Sequence, residues 1–184
     1  MSKPKKFFYV YGDNEYVFFT DSGIFSKSGM DANTDILLRS LAKEKPAGKF
    51  LDLGCGYGCV GIVLAKAFCL DVTQVDINPA AVALTIKNSL ANNVKTKAVV
   101  SDGYSNIADF FDAIALNPPI HAGKTAVHSL YSGSYDHLKD GGLFYVVINK
   151  KHGAESTKEK LIQVFANCES IYKKNGIRVF KCKK

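Results

Sequence analysis

The chain has 184 residues, 47% hydrophobic and 22% charged, with 24 Lys and Arg against 17 Asp and Glu for a formal net charge of +7. That length holds one ordinary domain, and that composition excludes a disordered chain, a collagen-like fibre and a mini-protein. No apolar run approaches the ~20 residues that span a bilayer, and the apolar run near the basic N-terminus, residues 7–11, is too short for a signal peptide.

Residues 5–25 read as a β-hairpin, with β-rich runs at 7–11 and 16–20 around Gly12-Asp13-Asn14. A short helix over 34–42 ends at Pro46-Ala47-Gly48. From Lys49 strands and helices alternate. Strands are predicted at 50–53, 70–75, 96–100, 111–116 and 143–149, and helices at 60–68, 80–92 (with Pro79 at its start), 128–138 and 155–167. Two last strands, 169–173 and 177–182, turn at Asn175-Gly176. The alternation predicts an α/β fold: a Rossmann-like, seven-stranded, mostly parallel sheet with an antiparallel C-terminal strand, helices on both faces and the hairpin as an N-terminal extension. Ligands of such sheets bind beyond the carboxyl ends of the strands, at the switch in strand order.

Five cysteines (Cys55, Cys59, Cys69, Cys168, Cys182) are an odd number without a Cys-x-x-Cys pair. They read as small buried residues in a reducing compartment, with no metal site, which points to the cytoplasm. The basic surplus is mostly lysine and favours polyanions such as nucleic acid over base-specific readout; plain solubility charge is the equal alternative.

Four loops carry the unusual residues. After the first sheet strand, Asp52-Leu53-Gly54-Cys55-Gly56-Tyr57-Gly58 lets the backbone approach a ligand closely, with the N–H groups of the next helix behind it. Gly56 to Gly61 also satisfies the G-x-G-x-x-G dinucleotide template. Asp52 would repel a pyrophosphate but suits an amino group or a sulfonium. Asp76, 24 residues after Asp52 and followed by Ile77, is placed to bond the two hydroxyls of a ribose, or else to cap the helix at Pro79. Asp102 in Ser101-Asp102-Gly103 could accept from an adenine amino group, or be a plain Asp-Gly turn.

The fourth loop is Asn117-Pro118-Pro119-Ile120. Two prolines remove two N–H donors and fix the backbone. The Asn117 side-chain oxygen and the Pro118 carbonyl would hold the two N–H donors of a planar amine and aim its lone pair at an electrophilic methyl. Such catalysis is orientation plus acceptor electrostatics, with no strong base.

Taken together, Asp-Leu-Gly-Cys-Gly-Tyr-Gly, Val-Asp-Ile-Asn and Asn-Pro-Pro resemble the class I S-adenosylmethionine-dependent methyltransferases that act on exocyclic or amide nitrogens. More narrowly, Gly23-Ile24-Phe25-Ser26-Lys27 with Asp31, and residues 117–124, resemble the RsmC-like small-subunit rRNA guanine-N2 methyltransferases. The resemblance covers about residues 7–182. It implies that S-adenosylmethionine is held at Phe25, Asp52, Gly54, Cys55, Gly56, Asp76, Ile77, Asp102, Gly103 and Asn117. It implies catalysis at Asn117, Pro118 and Pro119, and substrate contacts at Ile120, His121 and Lys124. It also divides the chain into a hairpin and cofactor-covering segment (1–30) and a core (31–184) of one methyltransferase domain.

Two departures from the family matter. Ile120 stands where many amino methyltransferases carry an aromatic residue, leaving Phe25, Tyr131 and Tyr135 as candidates to stack on the base. The longer members also carry a degenerate second copy of the fold, for which this chain has no room. Either one domain binds the substrate or a second subunit helps, as a monomer or a homodimer. The expected partner is rRNA or the small ribosomal subunit, and no membrane. Protein glutamine, adenine N6 and a non-catalytic RNA-binding module are the alternatives. The basic tail (Lys173, Lys174, Arg178, Lys181, Lys183, Lys184) either touches phosphates or solvates a strand edge.

Overall fold

The computed structural model describes residues 5–21, 29–119 and 122–184. Strands β1 (Lys5–Tyr11) and β2 (Asn14–Thr20) form the hairpin, joined at Gly12-Asp13; Asn14, expected in the turn, pairs with Tyr11 instead. Then follow α1 (Ala32–Glu44), β3 (Lys49–Leu53), α2 (Cys59–Phe68), β4 (Asp71–Asp76), α3 (Pro79–Ala91), β5 (Lys97–Val100), β6 (Phe111–Leu116), α4 (Lys124–His137), β7 (Leu138–Asn149), α5 (Ala154–Phe165), β8 (Glu169–Lys174) and β9 (Ile177–Lys183).

Strands β3 to β9 make one sheet in the order β5-β4-β3-β6-β7-β9-β8. The chain runs outward through β4 and β5, then returns to place β6 on the other side of β3, so the strand order switches between β3 and β6. Only β9 runs against the rest, between β7 and β8, which puts the edge on β8.

Period-two alternation decides which face each sheet residue serves. Phe50, Val72, Ala113, Ala115, Tyr145, Val147 and Val179 pack with α1, α2 and the hairpin. Leu51, Leu53, Val75, Ile114, Leu116, Phe144, Val146 and Phe180 pack with α4 and α5. Among the described residues no helix is long and apolar enough to cross a membrane.

Two departures from the sequence reading are local. Strand β7 starts at Leu138, not at 143: Leu138 pairs with Phe111, and the chain bulges through Gly141, with φ +79, before Leu143 meets Ala113. The cysteines are not uniformly buried either. Cys55, Cys59 and Cys182 are buried, but Cys69 is exposed, because it closes α2 in a left-handed conformation and its side chain faces outward.

Candidate active site

The carboxyl ends of β3, β4, β5 and β6 open onto one cavity of about 470 Å³, within the range of small-molecule sites. It lies at the switch in strand order. Its wall brings together Asp52, Gly54, Cys55, Gly56, Asp76, Ile77, Asp102, Gly103, Asn117 and Pro119 from four separate loops.

The first loop is shaped by glycine. Gly54, Gly56 and Gly58 have φ of +71, +58 and +84, values that side-chain-bearing residues avoid. Gly61 answers a different need. A Cβ there would lie 2.4 Å from Gln74 Oε1, so α2 rides directly on β4. The last glycine of the G-x-G-x-x-G match therefore serves helix–strand contact.

Asp52 is buried within β3, and its carboxylate accepts the Gly61 N–H at 2.9 Å. Among the described residues it has no cationic partner. Burial pushes its pKa up to about 7; the Gly61 N–H opposes this and the Asp76 charge adds to it. Asp76 is half-buried, and each of its oxygens accepts one backbone N–H, from Gly56 and from Asn78, both at 2.9 Å. The helix-capping role falls to Asn78, which accepts from Ala80 N–H at 3.0 Å. A carboxylate has room for about four such bonds, so Asp76 retains acceptor capacity toward the cavity. Ile77 is 63% exposed on the cavity wall. Asp102 is exposed there, in a turn closed by Ser105 N–H to its carbonyl (3.1 Å).

At the end of β6, Asn117 Nδ2 donates to Thr34 Oγ1 at 3.0 Å. With the amide nitrogen committed to α1, Asn117 Oδ1 is left without a partner among the described residues. Pro119 lines the same cavity, and its carbonyl closes a turn to Ala122 N–H. Pro118 does not line it. It is buried and borders a second, smaller cavity of about 70 Å³ with Lys124, His128, Tyr131 and His152. Lys124, at the start of α4, is thereby separated from the main cavity. Phe25, Ile120 and His121 lie outside the described residues.

The stacking candidates on α4 are corrected. Tyr131 is fully buried against Phe144. Tyr135 packs edge-on against Phe165 and carries Lys184 Nζ over its ring. Tyr131 is spent on the core, and Tyr135, though 37% exposed, does not line the main cavity. Of the tail cations, Arg178 pairs with Glu155, and Lys181 with Glu44 and Glu169.

Among known proteins, the model of the methyltransferase small domain matches residues 15–181. The chain belongs to that family. Its fold is that of the class I S-adenosylmethionine-dependent methyltransferases, and it is RsmC-like. It is 39% identical over 176 residues to the uncharacterized protein YbxB of Bacillus subtilis, covering 94% of this chain and 88% of that one. It is 34% identical over 167 residues to the ribosomal RNA small subunit methyltransferase C of Shewanella denitrificans, covering 88% of this chain and 47% of that protein. In structure it is similar to the T. thermophilus 16S rRNA N2 methyltransferase RsmC in complex with AdoMet and guanosine. There the TM-score is 0.90 at 26% identity, over 100% of this chain and 51% of the other. The chain thus spans about half the length of these named methyltransferases.

Sequence reasoning missed part of the cavity. Thr34 and Leu37 reach it from α1, and Ser129 and Leu130 from α4. None belongs to a loop motif; only the spacing of Asp31 and Thr34, a capping pattern, could have drawn attention to that corner.

Proposed function

We propose that the chain methylates an exocyclic amino group, guanine N2 in the 16S rRNA of the small ribosomal subunit. The observation that carries this is Asn117. Its Nδ2 is held by Thr34, so its Oδ1 is the acceptor on the wall shared with Asp52, Asp76 and Asp102.

The cavity fits S-adenosylmethionine. Asp52, a buried carboxylate without a cation, suits the ligand's ammonium group; Asp76 suits the ribose hydroxyls; Ile77 and Leu130 supply apolar surface and Asp102 an acceptor for the adenine. When bound, the cofactor supplies a methyl group made electrophilic by its sulfonium. Asn117 Oδ1, on the cavity wall, accepts an N–H of the substrate amine. That acceptor strengthens as the nitrogen gains positive charge, which is where electrostatic help counts. The nitrogen loses its proton after methylation, so no residue of high basicity is required.

The test is to incubate the chain with methyl-tritiated S-adenosylmethionine and small subunits from a strain lacking guanine-N2 methylation. Label is expected in N2-methylguanosine after nuclease digestion. Asn117→Ala is expected to lower kcat by roughly 10²- to 10³-fold, with S-adenosylhomocysteine binding kept. Label in N6-methyladenosine or in methylglutamine would move the target to those amines. Tight cofactor binding with no transfer would sink the enzymatic reading in favour of an RNA-binding module.

A further inference from the structure

We infer that Asp31 and Thr34 are positioning residues, a two-step relay that fixes which way the Asn117 amide faces; this rests on the amine-methylating role proposed above. Asp31 is the N-cap of α1. Its Oδ1 accepts the N–H groups of Asn33 (3.0 Å) and Thr34 (3.1 Å), and its Oδ2 accepts the Thr34 hydroxyl. A carboxylate can only accept, so the Thr34 proton must point at Asp31. The Thr34 oxygen then has only lone pairs to offer on its other side, and there it meets Asn117 Nδ2 at 3.0 Å. An acceptor at that point selects the nitrogen of the amide and rejects its oxygen. Asn117 Oδ1 is thereby turned away from α1, and the amide cannot flip without placing oxygen against oxygen.

The arrangement spans 83 residues of sequence between Thr34 and Asn117. Thr34 is 8% exposed and lines the cavity, so little water reaches the bond. A helix cap and an amide orientation are thus set by one carboxylate. Without the relay, Asn117 would present a mixture of its donor and acceptor ends to the incoming amine, and a donor facing N–H repels.

The full chain, labelled with nitrogen-15, tests this in two ways. The first is the side-chain NH2 resonance pair of Asn117, assigned by its loss in Asn117→Asp. The second is kcat on small subunits lacking guanine-N2 methylation. In the wild type one NH2 proton is expected to be protected from solvent exchange. Thr34→Val keeps the side-chain volume but removes the acceptor. It is expected to abolish that protection and lower kcat by about 10- to 100-fold, with the KM for S-adenosylmethionine within twofold. Thr34→Ser should restore both readouts. Asp31→Asn keeps a good helix cap but can donate to Thr34, which frees the hydroxyl proton to turn the amide round; kcat should fall with the melting temperature nearly unchanged. The relay is overturned if Thr34→Val leaves the Asn117 resonances unaltered, or alters them while kcat stays within twofold. Should the wild type put no label into rRNA, the proposed reaction fails on its own, and the NH2 resonances still decide whether Thr34 orients the amide.

Discussion

At the scale of single residues, the chain's most unusual group is Asp52. Its folded pKa, pushed up to about 7 by burial, lies well above the ordinary carboxyl value. The sign follows from proton counting. Between about pH 4 and pH 7 the unfolded carboxyl is ionised while the folded one keeps its proton. Folding then takes up a proton, and stability falls as the pH rises through that window. A cationic ligand reverses the preference, since it favours the ionised form. Binding of S-adenosylmethionine near pH 6 should therefore release a proton from Asp52, and affinity should rise from pH 5.5 to about 7.5 and then level off. Calorimetry in buffers of different ionisation enthalpy reads that release directly. Asp52→Asn should weaken the cofactor by roughly 10- to 100-fold, as expected for losing a bond to a charged group, and flatten the pH dependence. An unchanged pH profile in this variant would remove Asp52 from contact with the cofactor.

At the scale of elements, the hairpin is held to the core by two asparagines four residues apart, Asn88 in α3 and Asn92 at its C-terminal cap. Asn92 Oδ1 accepts the Val17 N–H at 2.8 Å and its Nδ2 donates to the Val17 carbonyl at 2.7 Å. Asn88 does the same for Phe19, at 2.8 and 3.0 Å, and also donates to the Tyr57 carbonyl at 2.8 Å. Each amide imitates a neighbouring strand and satisfies the edge of β2, which would otherwise stand open. The third bond of Asn88 ties the hairpin to the glycine loop, and Tyr57 adds edge-on ring contacts to Phe7 and Phe18. Asn88→Ala leaves three backbone groups, the Tyr57 carbonyl buried and the two of Phe19 partly so, short of partners and should cost about 2–4 kcal/mol. Hydrogen exchange at the Val17 and Phe19 amides should accelerate, and cofactor affinity should drop through the loosened loop. Asn92→Ala should speed exchange at Val17 but leave the cofactor alone, because it does not touch Tyr57. Neither clamp was legible in the sequence. Asparagine on a helix reads as a weak helix former, and nothing local says that two of them face a strand edge 69 and 75 residues away.

At the scale of the whole molecule, the sheet and the loops that end its strands were legible because both obey local rules. Alternating strand and helix periods fix the architecture, and glycine, proline and acidic residues punctuate the strand ends. The walls of the cavity were not, because they come from packing. Leu130 of α4 and Thr34 of α1 meet the loops only once the sheet is assembled, and Tyr131, read as a free ring, disappears into the core. Charge belongs to this scale too. Among the described residues Arg39, Arg178, Lys49, Lys97, Lys139 and Lys181 are paired with carboxylates, so the surplus of +7 rests on other lysines. Lysine contacts to phosphate release counterions, which makes binding fall with a power of the salt concentration. Three such contacts would weaken rRNA binding about 20-fold between 50 and 200 mM salt. The cofactor, held inside a cavity by individual bonds, should change far less over the same range. Fluorescence anisotropy of a labelled small-subunit rRNA fragment, beside calorimetry of S-adenosylhomocysteine, separates the two. Equal salt dependence for both ligands would mean that the surplus charge serves solubility alone, and that whatever holds the RNA is not the lysine surface.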